Sequence, residues 1–523
     1  MKAVISSKVL NRTIQAFLFV NKDFLERKIK IKKENVLQLL IRALCIALAV
    51  VMCIILGACG SKDTSSEIAL GEEDGEYEAL DGMDDEGSGT NADGMISGSK
   101  SGTTSKSTGT SKTTANTDWI KDIPKKLQGT TVNFAVWGDE NATEYAKVVK
   151  LFTKKTKINV KWVTYNEEKY VSTIVEQNAA GKGPDIVINN VTFPTSVEAV
   201  QELPAIFNLD DGFWDKRVTD ALSVKGKKFF VNSYNSPFLT GGLFCFYNKQ
   251  LFSNNNITSP QDYIDQGNWT METLEKCMRD AYAKGFDGGT IQPHNLWTVT
   301  GAELINYNPS TGVFTSGLND ASQRADMIYA LKFTTTLRKE GVISNNPLTR
   351  FAAGNMAIAL VSNYAMKYNG WFKGMTPSSL GVVEMPATYN GKAANYYGAA
   401  ERAYGIGRDA KNIEGAYYLL KFYLDINNYE DANADIFLNK NIERFYKETY
   451  LPAYKTKKLS PWYSSNPLSL VGSPWTNGSA GTWADLYSVD AVPEEIETNL
   501  MARANIVENA AKKATEKLGS IVK

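Results

Sequence analysis

Two polar stretches of the chain each follow a short apolar stretch with the pattern of a β-strand. Trp137, Asp139 and Glu140 follow the first apolar stretch. Asn189 and Asn190 follow the second. An indole ring stacks on flat ligand surfaces, carboxylates accept hydrogen bonds, and amides both donate and accept them. This combination is typical of a site that binds a polar ligand by stacking and hydrogen bonding.

The elements that must position these residues form a predicted β-α-β-α-β series, which opens a folded body starting near Gly129. Strands are predicted at 132–136, 158–162 and 185–188, and the second helix at 167–180. This order favours an α/β fold with a parallel sheet and right-handed crossovers. Ligands of such sheets lie beyond the carboxyl ends of the strands. The polar stretches therefore fall where a ligand is expected.

Four further residues are candidates for ligand contact. Trp297 and Trp371 lie in stretches rich in Gly, Asn, Ser or Thr that predict loops, and each ring could pack in the core instead. Glu401 and Arg402 are adjacent. A guanidinium can hold a carboxylate with two parallel hydrogen bonds. An ion pair between Glu401 and Arg402 is the alternative interpretation.

Enzymatic functions find little support in the sequence. A glycoside hydrolase needs two carboxylates ~5–9.5 Å apart. Asp139 and Glu140 have carboxylates, but a chain with this many acidic residues always offers some, so they do not by themselves indicate a hydrolase. The chain has a single histidine and neither a Gly-x-Ser-x-Gly nucleophile motif nor a P-loop; the stretch 285–289 lacks a phosphate-binding lysine and is predicted to be a loop. We therefore expect a protein that is not an enzyme and has no cofactor or metal. A surface polysaccharide hydrolase or lyase stays as the alternative.

Cys59 has the surroundings of a lipid-attachment site. A 14-residue apolar run, Ala43–Leu56, follows a basic flank and precedes Gly57, Ala58 and Cys59. Such a run suits a cleaved signal, because a spanning helix needs about 20 apolar residues. The pattern resembles a lipobox, where cleavage before the cysteine accompanies attachment of a diacylglycerol. Residues 1–58 are thus predicted to be a lipoprotein signal peptide, with an uncleaved anchor as the alternative.

The stretch after Cys59 predicts a flexible tether. Ser61 to Thr90 contains eleven acidic residues and one lysine, and the stretch up to Thr117 is mostly Ser, Gly, Thr and Lys. Such compositions cannot bury enough apolar surface to fold. Without residues 1–58 the chain has 47 basic and 54 acidic residues, a net charge of −7, which argues against a nucleic-acid partner. We assign 59–128 to the tether.

Several short motifs, taken together in their order, resemble a known family. The chain is similar to extracellular solute-binding proteins (family 1, maltose-binding-like) of carbohydrate ABC importers over about residues 129–520. The motifs are Gly183-Pro184-Asp185-Ile186-Val187, Tyr247-Asn248-Lys249, Asn268-Trp269-Thr270, Phe351-Ala352-Ala353-Gly354-Asn355-Met356-Ala357, Ala403-Tyr404-Gly405-Ile406 and Asp409-Ala410-Lys411-Asn412. One departure is the stretch 398–402, where the family often has a Gly-Gly pair in a loop that meets ligand.

The resemblance implies a two-lobed, type II periplasmic-binding-protein-like fold with the ligand in the cleft between the lobes. The expected lobes are 129–240 plus 398–450 and 241–397 plus 451–523. The implied function is capture of a carbohydrate, an oligosaccharide in the first instance, and its delivery to ABC permease subunits. A lipid-anchored monomer on the outer face of the cytoplasmic membrane is expected. An acidic sugar or a non-sugar solute such as a peptide is the alternative ligand.

Overall fold

The computed structural model describes most of the chain after residue 117. The described residues are 118–138, 143–190, 192–238, 243–291, 293–344, 348–367, 370–399, 402–461, 470, 486 and 491–522. They all fall in one unit of the chain, Asp74–Lys523. No helix within these ranges combines the length and the apolar character needed to cross a membrane. The predicted signal peptide, Cys59 and the tether up to residue 117 lie outside the described residues.

The first sheet contains three parallel strands and one antiparallel strand. Its strand order is β13-β3-β1-β2, formed by β1 (Thr131–Val136), β2 (Asn159–Thr164), β3 (Ile186–Asn190) and β13 (Arg402–Ile406). β1 runs parallel to both β2 and β3, which confirms the predicted parallel series. β13 pairs with β3 in the antiparallel sense, so the amino end of β13 lies at the carboxyl end of β3.

Three helices pack with this sheet. They are α1 (Glu144–Thr156), α2 (Tyr170–Ala179) and α10 (Ile413–Tyr423). Val148, Val149 and Phe152 form the buried stripe of α1, as the spacing predicts. Helix α2 begins three residues after the predicted start at 167.

The second sheet is built around a fully buried central strand. Its order is β5-β8-β4-β9, formed by β4 (Leu243–Asn248), β5 (Asp287–Ile291), β8 (Met356–Ser362) and β9 (Leu380–Glu384). All six residues of β4 are buried, and β4 pairs antiparallel with β8 on one side and β9 on the other. The two sheets account for the mixed α/β architecture. The lobe boundaries given above stay a prediction.

The prediction of a loop at 285–289 was wrong, because most of this stretch enters β5. Gly288 and Gly289 are needed for close packing within β5 rather than for a turn. A Cβ on Gly288 would lie 2.6 Å from the carbonyl oxygen of Val342, and one on Gly289 would lie 2.7 Å from that of Ile358. The glycines therefore let β5 approach its neighbours at a distance that a side chain forbids.

The remaining elements connect and cover the sheets. Three pairs of strands are β6 (Ile305–Asn308) with β7 (Val313–Ser316), β10 (Thr388–Tyr389) with β11 (Lys392–Ala393), and β12 (Tyr396–Ala399) with β14 (Lys458–Pro461). The other α-helices are α3 (Lys216–Ala221), α4 (Lys249–Asn254), α5 (Pro260–Asp265), α6 (Met271–Ala283), α7 (Pro293–Trp297), α8 (Ala321–Lys339), α9 (Thr349–Ala352), α11 (Asn427–Asp431), α12 (Lys440–Phe445), α13 (Leu451–Thr456), α14 (Ile496–Met501) and α15 (Ala504–Ile521). A π-helical turn, Tyr446–Tyr450, joins α12 to α13.

Residues 118–128 are predicted above to belong to the tether. In the structure they contain two short 3-10 turns, Asp118–Asp122 and Lys125–Leu127. The Trp119 ring stacks on Tyr418 of α10, with centroids 5.9 Å apart and planes 9° from parallel. Leu127 is buried. These contacts attach the stretch to the helix behind the first sheet.

The buried carboxylate of Asp185 ties three stretches of chain together. One oxygen accepts the backbone N–H of Asn133 in β1 at 2.7 Å. The other accepts the backbone N–H groups of Lys411 at 2.7 Å and Asn412 at 2.8 Å, just before α10. Asp185 is 1% exposed, so these three donors replace the water that a carboxylate requires. The motifs around 185 and 409–412 are thus two halves of one hydrogen-bonded joint.

We predict that Asp185→Asn lowers the free energy of unfolding by about 2–3 kcal/mol. The amide has only one acceptor oxygen, and its NH2 group would face backbone N–H groups that the carboxylate now accepts. Thermal or urea unfolding measures the loss. Asp210→Asn is the matched control, since Asp210 pairs with Lys216 while 80% of its side chain is exposed. Equal stability of the Asp185→Asn variant and the parent protein would contradict this role.

Candidate functional site

The carboxyl end of the first sheet brings four of the predicted site residues together. Phe134 of β1 lies opposite Ile186 of β3, and extending that register places Trp137 beside Asn189. Arg402, the first residue of β13, pairs with Asn190 at the end of β3. Sequence positions 265 residues apart therefore meet at one edge because β13 runs antiparallel to β3.

A buried tyrosine sets the position of Trp137. The Tyr170 hydroxyl donates to the carbonyl oxygen of Ala135 and accepts from the N–H of Ile188, both at 3.0 Å. It thus bridges β1 and β3 where the two strands reach their carboxyl ends. Burial raises the pKa of Tyr170, so the hydroxyl stays protonated and able to donate. The Tyr170 ring meets the Trp137 ring edge-on, with centroids 5.2 Å apart and planes at 89°.

Arg402 lies between two aromatic rings. Its guanidinium carbon is 5.6 Å from the centroid of Trp137 and 5.0 Å from the centroid of Phe238. Cations at these distances are attracted by the negative faces of aromatic rings. The Asn232 side chain donates to the Arg402 backbone carbonyl at 2.8 Å, which holds the start of β13 in place. Arg402 and Trp137 together present a partly buried ring and a cation at the sheet edge.

Lys367 is a buried cation that sequence reasoning missed. It is 6% exposed, and its ammonium donates to the carbonyl oxygen of Pro237. Its nitrogen lies 4.9 Å from the Phe437 centroid, 5.3 Å from Tyr446 and 5.7 Å from Phe238. Burial, helped by the positive charge of Arg402, lowers the pKa of Lys367 to about 7. Desolvation of a charge is costly, and the three rings replace only part of the lost hydration.

Phe238 and Lys367 link the first sheet to the second. Phe238 precedes β4 in the chain, and Lys367 follows the 3-10 turn Asn363–Met366 at the end of β8. Both Arg402 and Lys367 have Phe238 as a ring partner. We call Trp137, Phe238, Lys367 and Arg402 the junction cluster. It is a continuous set of two rings and two cations that runs from one sheet to the other.

Two further aromatic residues follow the end of β8. Tyr364 is 42% exposed, which is unusual among the large rings of the residues that the structure describes. Its ring meets that of Trp371 edge-on at 5.3 Å. Trp371 lies in a turn, which is consistent with its predicted loop position, and it is partly buried against the core. Tyr364 is therefore the more exposed ring of the pair. An aromatic residue directly after a buried strand is the signal that could have identified Tyr364.

Two predicted residues have other surroundings than expected. Trp297 lies in α7 rather than in a loop, and its ring is 2% exposed, so its burial in the core argues against ligand stacking. Asn189 is 1% exposed, and its side-chain oxygen accepts from Ser196 at 2.8 Å and from Thr192 at 3.3 Å. This amide shapes the stretch after β3 and does not offer its oxygen to a ligand. The structure does not describe Asp139, Glu140, Glu401, Cys59 or the side chain of Asn190.

The arrangement of the described residues supports binding. Aromatic rings are able to pack on apolar faces of a ligand, and a guanidinium such as that of Arg402 has directed hydrogen-bond donors. Ligand sites in proteins generally combine apolar side chains with a few polar groups that orient the ligand.

Comparisons with known proteins agree with this description. A family described as "Bacterial extracellular solute-binding protein" matches residues 147–438. The fold is similar to that of a cyclo/maltodextrin-binding protein solved with maltotetraose, with a TM-score of 0.50 and 17% identity over 75% of this chain and 98% of that one. A Staphylococcus aureus extracellular solute-binding protein in complex with maltose has a TM-score of 0.47 and 16% identity over 75% and 97%. A search of curated proteins found no match.

The low pKa of Lys367 predicts a pH-dependent effect of Lys367→Met on stability. Unfolded lysine keeps a pKa of 10.5, so between about pH 7 and 10.5 the unfolded chain binds a proton that the folded protein has released. The penalty for burying the charge is complete below pH 7 and disappears as pH rises to 10.5. Lys367→Met should therefore raise the melting temperature above that of the parent protein measured at the same pH, and this increase should be larger at pH 6.5 than at pH 9.5.

Lys421→Met is the control for this measurement. Lys421 also lies near three rings, but it is in helix α10 and its ammonium donates to the Asp211 carboxylate at 3.2 Å. Its replacement should lower the melting temperature at pH 6.5. A difference between Lys367→Met and parent that stays constant from pH 6.5 to 9.5 would show that Lys367 does not titrate in this range.

Proposed function

Because this chain belongs to the bacterial extracellular solute-binding family, we propose that it captures an oligosaccharide and delivers it to the transmembrane subunits of an ABC permease. The observation that carries the choice of a sugar is the partly buried ring of Trp137 at the carboxyl end of β1, held by Tyr170 and next to Arg402. Sugars have flat C–H faces that pack on rings and hydroxyls that take hydrogen bonds.

The junction cluster supports a ligand position between the two predicted lobes. Trp137 and Arg402 belong to the first sheet, whereas Lys367 and the exposed Tyr364 follow a strand of the second. A sugar held by Trp137 on one side and Tyr364 on the other would favour the closed arrangement. Closure follows only if the ligand binds the closed state more tightly, because equal affinity for both states shifts nothing.

We propose binding without turnover, in keeping with a family of binding proteins. Incubation of residues 118–523 with a glycan panel separates the two functions. Recovery of intact, bound glycan is expected from a binding protein. Cleavage of any glycan would favour the hydrolase or lyase alternative, and binding of peptides alone would replace the sugar by a non-sugar solute.

The cellular arrangement we propose starts from Cys59. After removal of residues 1–58, a diacylglycerol on Cys59 would hold the monomer at the outer face of the cytoplasmic membrane. The stretch up to residue 117 would act as a flexible tether with a mean reach of roughly 40 Å. The family description supports the extracellular location, and the basic flank and small residues before Cys59 support the lipid anchor.

We predict that Trp137→Ala weakens glycan binding roughly thirtyfold, since truncation of an aromatic anchor often costs ~2 kcal/mol. Maltooligosaccharides are suitable first probes, and calorimetry measures their affinity. The variant should also melt earlier, because the Trp137 ring packs on Tyr170 and on the core.

Trp119→Ala separates the two effects. Like Trp137, Trp119 is partly buried and contacts another ring, that of Tyr418. Unlike Trp137, it lies in the 3-10 turn Asp118–Asp122 and outside the junction cluster. This control should lose stability and keep the parent's affinity. If folded Trp137→Ala protein binds as the parent does, Trp137 belongs to the core and the ligand contacts lie elsewhere.

The anchor is tested by Cys59→Ser in the full chain. Loss of the thiol removes the lipid-attachment atom, so the variant should be released from membranes and should not incorporate a labelled fatty-acid analogue. The folded body from residue 118 onward should keep the parent's melting temperature. Label on the Ser variant equal to that on the parent would disprove the assignment.

A further inference from the structure

Arg217 binds the stretch of chain that enters β14. Its guanidinium holds the Asp215 carboxylate with two hydrogen bonds, from Nε at 2.9 Å and from Nη2 at 2.7 Å. Nη1 donates to the backbone carbonyls of Tyr454 and Lys457, both at 2.8 Å. Four of the five guanidinium N–H groups are therefore engaged. The two bonds from Nη1 fix the end of α13 immediately before β14 begins.

Asp215 is in turn anchored to the first sheet. Its side chain has no exposed surface, and its backbone N–H donates to the carbonyl oxygen of Asn232 at 2.8 Å. The Asn232 side chain donates to the backbone carbonyl of Arg402, the first residue of β13. Through Asp215 and Asn232, Arg217 thus connects the start of β14 with β13 of the first sheet.

β14 and its parallel partner β12 form a two-stranded element that we call the ribbon. β12 precedes β13 of the first sheet in the chain, whereas β14 precedes α14 and α15. Tyr397 of β12 donates from its hydroxyl to the carboxylate of Glu384, in β9 of the second sheet. The Lys457 ammonium donates to the carbonyl oxygen of Ala394 at 2.8 Å. The ribbon is therefore hydrogen-bonded to the first sheet through Arg217 and to the second through Tyr397.

The buried pair of Asp215 and Arg217 is better suited to fixing a position than to adding stability. Buried ion pairs add little stability over apolar residues of similar volume, and their best-attested use is to specify one arrangement. The guanidinium carbon also lies 5.2 Å from the Tyr234 ring centroid and 4.8 Å from that of Tyr454. Two rings, a carboxylate and two carbonyls leave the guanidinium one orientation. The end of α13 that it binds is thereby held in one place relative to the first sheet.

We propose, on the basis of the function proposed above, that Arg217 is a positioning residue for ligand capture, because it fixes one end of the ribbon about which the two predicted lobes close. Its donors are directed to Asp215, Tyr454 and Lys457, so its effect on ligand affinity passes through the ribbon. Freedom that the ligand-free protein has between the lobes is lost when a ligand holds both walls of its site. Loss of the clamp therefore weakens binding although no ligand contact is removed.

The first test measures affinity on the full chain. Arg217→Lys keeps a positive charge beside Asp215 but lacks the planar fork that reaches both carbonyls. We expect it to bind maltooligosaccharides about tenfold more weakly than the parent protein in calorimetry, within the roughly 5- to 150-fold range typical of couplings between sites. Tyr397→Phe removes the bond from the ribbon to Glu384 with little change in shape, and it should act in the same direction.

Arg279→Met is the matched control. Arg279 in α6 also pairs with carboxylates, those of Glu275 and Glu340, but both partners belong to helices of the second predicted lobe and not to the ribbon. This variant should keep the parent's affinity. Melting curves establish that each variant is folded before binding is measured.

The second test needs no ligand. Spin labels on Lys154→Cys in α1 and Lys339→Cys in α8, both exposed positions, report the distance between the two predicted lobes. The three cysteines before residue 60 are replaced by serine, and the two others are buried and should not react. The distance distribution of the ligand-free protein should be broader in Arg217→Lys and Tyr397→Phe than in the parent protein and in Arg279→Met.

The outcomes separate the role of Arg217 from the proposed function. Distributions as narrow as the parent's in both ribbon variants would overturn the positioning role. A broader distribution with unchanged affinity would also overturn it, since the clamp would then serve the fold alone, and so would an equal loss of affinity in Arg279→Met. If the parent protein binds no glycan, the proposed function is wrong, and the widths of the distributions still decide whether Arg217 positions the lobes.

Discussion

The carboxylate of Asp185 is the interaction on which the rest of the structure depends. It joins β1 to the stretch before α10, and Asp185 and Lys411 are 226 residues apart in sequence. That stretch follows β13 by a few residues, so the joint fixes the chain close to the Ile406 end of the antiparallel pairing of β13 with β3. Arg402 stands at the far end of β13. The position of a cation at the sheet edge therefore depends on a buried anion at the opposite end of the same strand.

Local patterns were sufficient to predict the three parallel strands of the first sheet, but not its antiparallel strand β13. Alternating apolar residues mark β1 and β2, and the stripe of Val148, Val149 and Phe152 marks α1, because these periodicities arise from burial of one face. Patterns were less informative where tertiary packing overrides them. The stretch 285–289 has the composition of a loop, yet its glycines serve close approach of β5 to β8. Trp297 likewise follows polar residues and still enters the core.

The candidate site was predictable in part for a similar reason. Trp137 was identified from its position after a strand and Arg402 from the altered stretch 398–402, and the antiparallel register of β13 brings them together. Lys367 and Phe238 carry no such signal. They meet only because the chain enters β4 just after Phe238 and leaves β8 just before Lys367, which is a property of the second sheet rather than of either local sequence. Contacts of this kind depend on the complete fold.

Burial of Lys367 is a cost that the fold does not require. A methionine would fill the space among Phe238, Phe437 and Tyr446 without losing hydration energy, whereas the lysine is held at a pKa of about 7. Its ammonium donates a hydrogen bond to the Pro237 carbonyl, but such a bond contributes only about 1.5–3 kcal/mol, which offsets part of the several kcal/mol that desolvation of a buried charge costs. Local sequence choices that oppose stability concentrate where binding needs them.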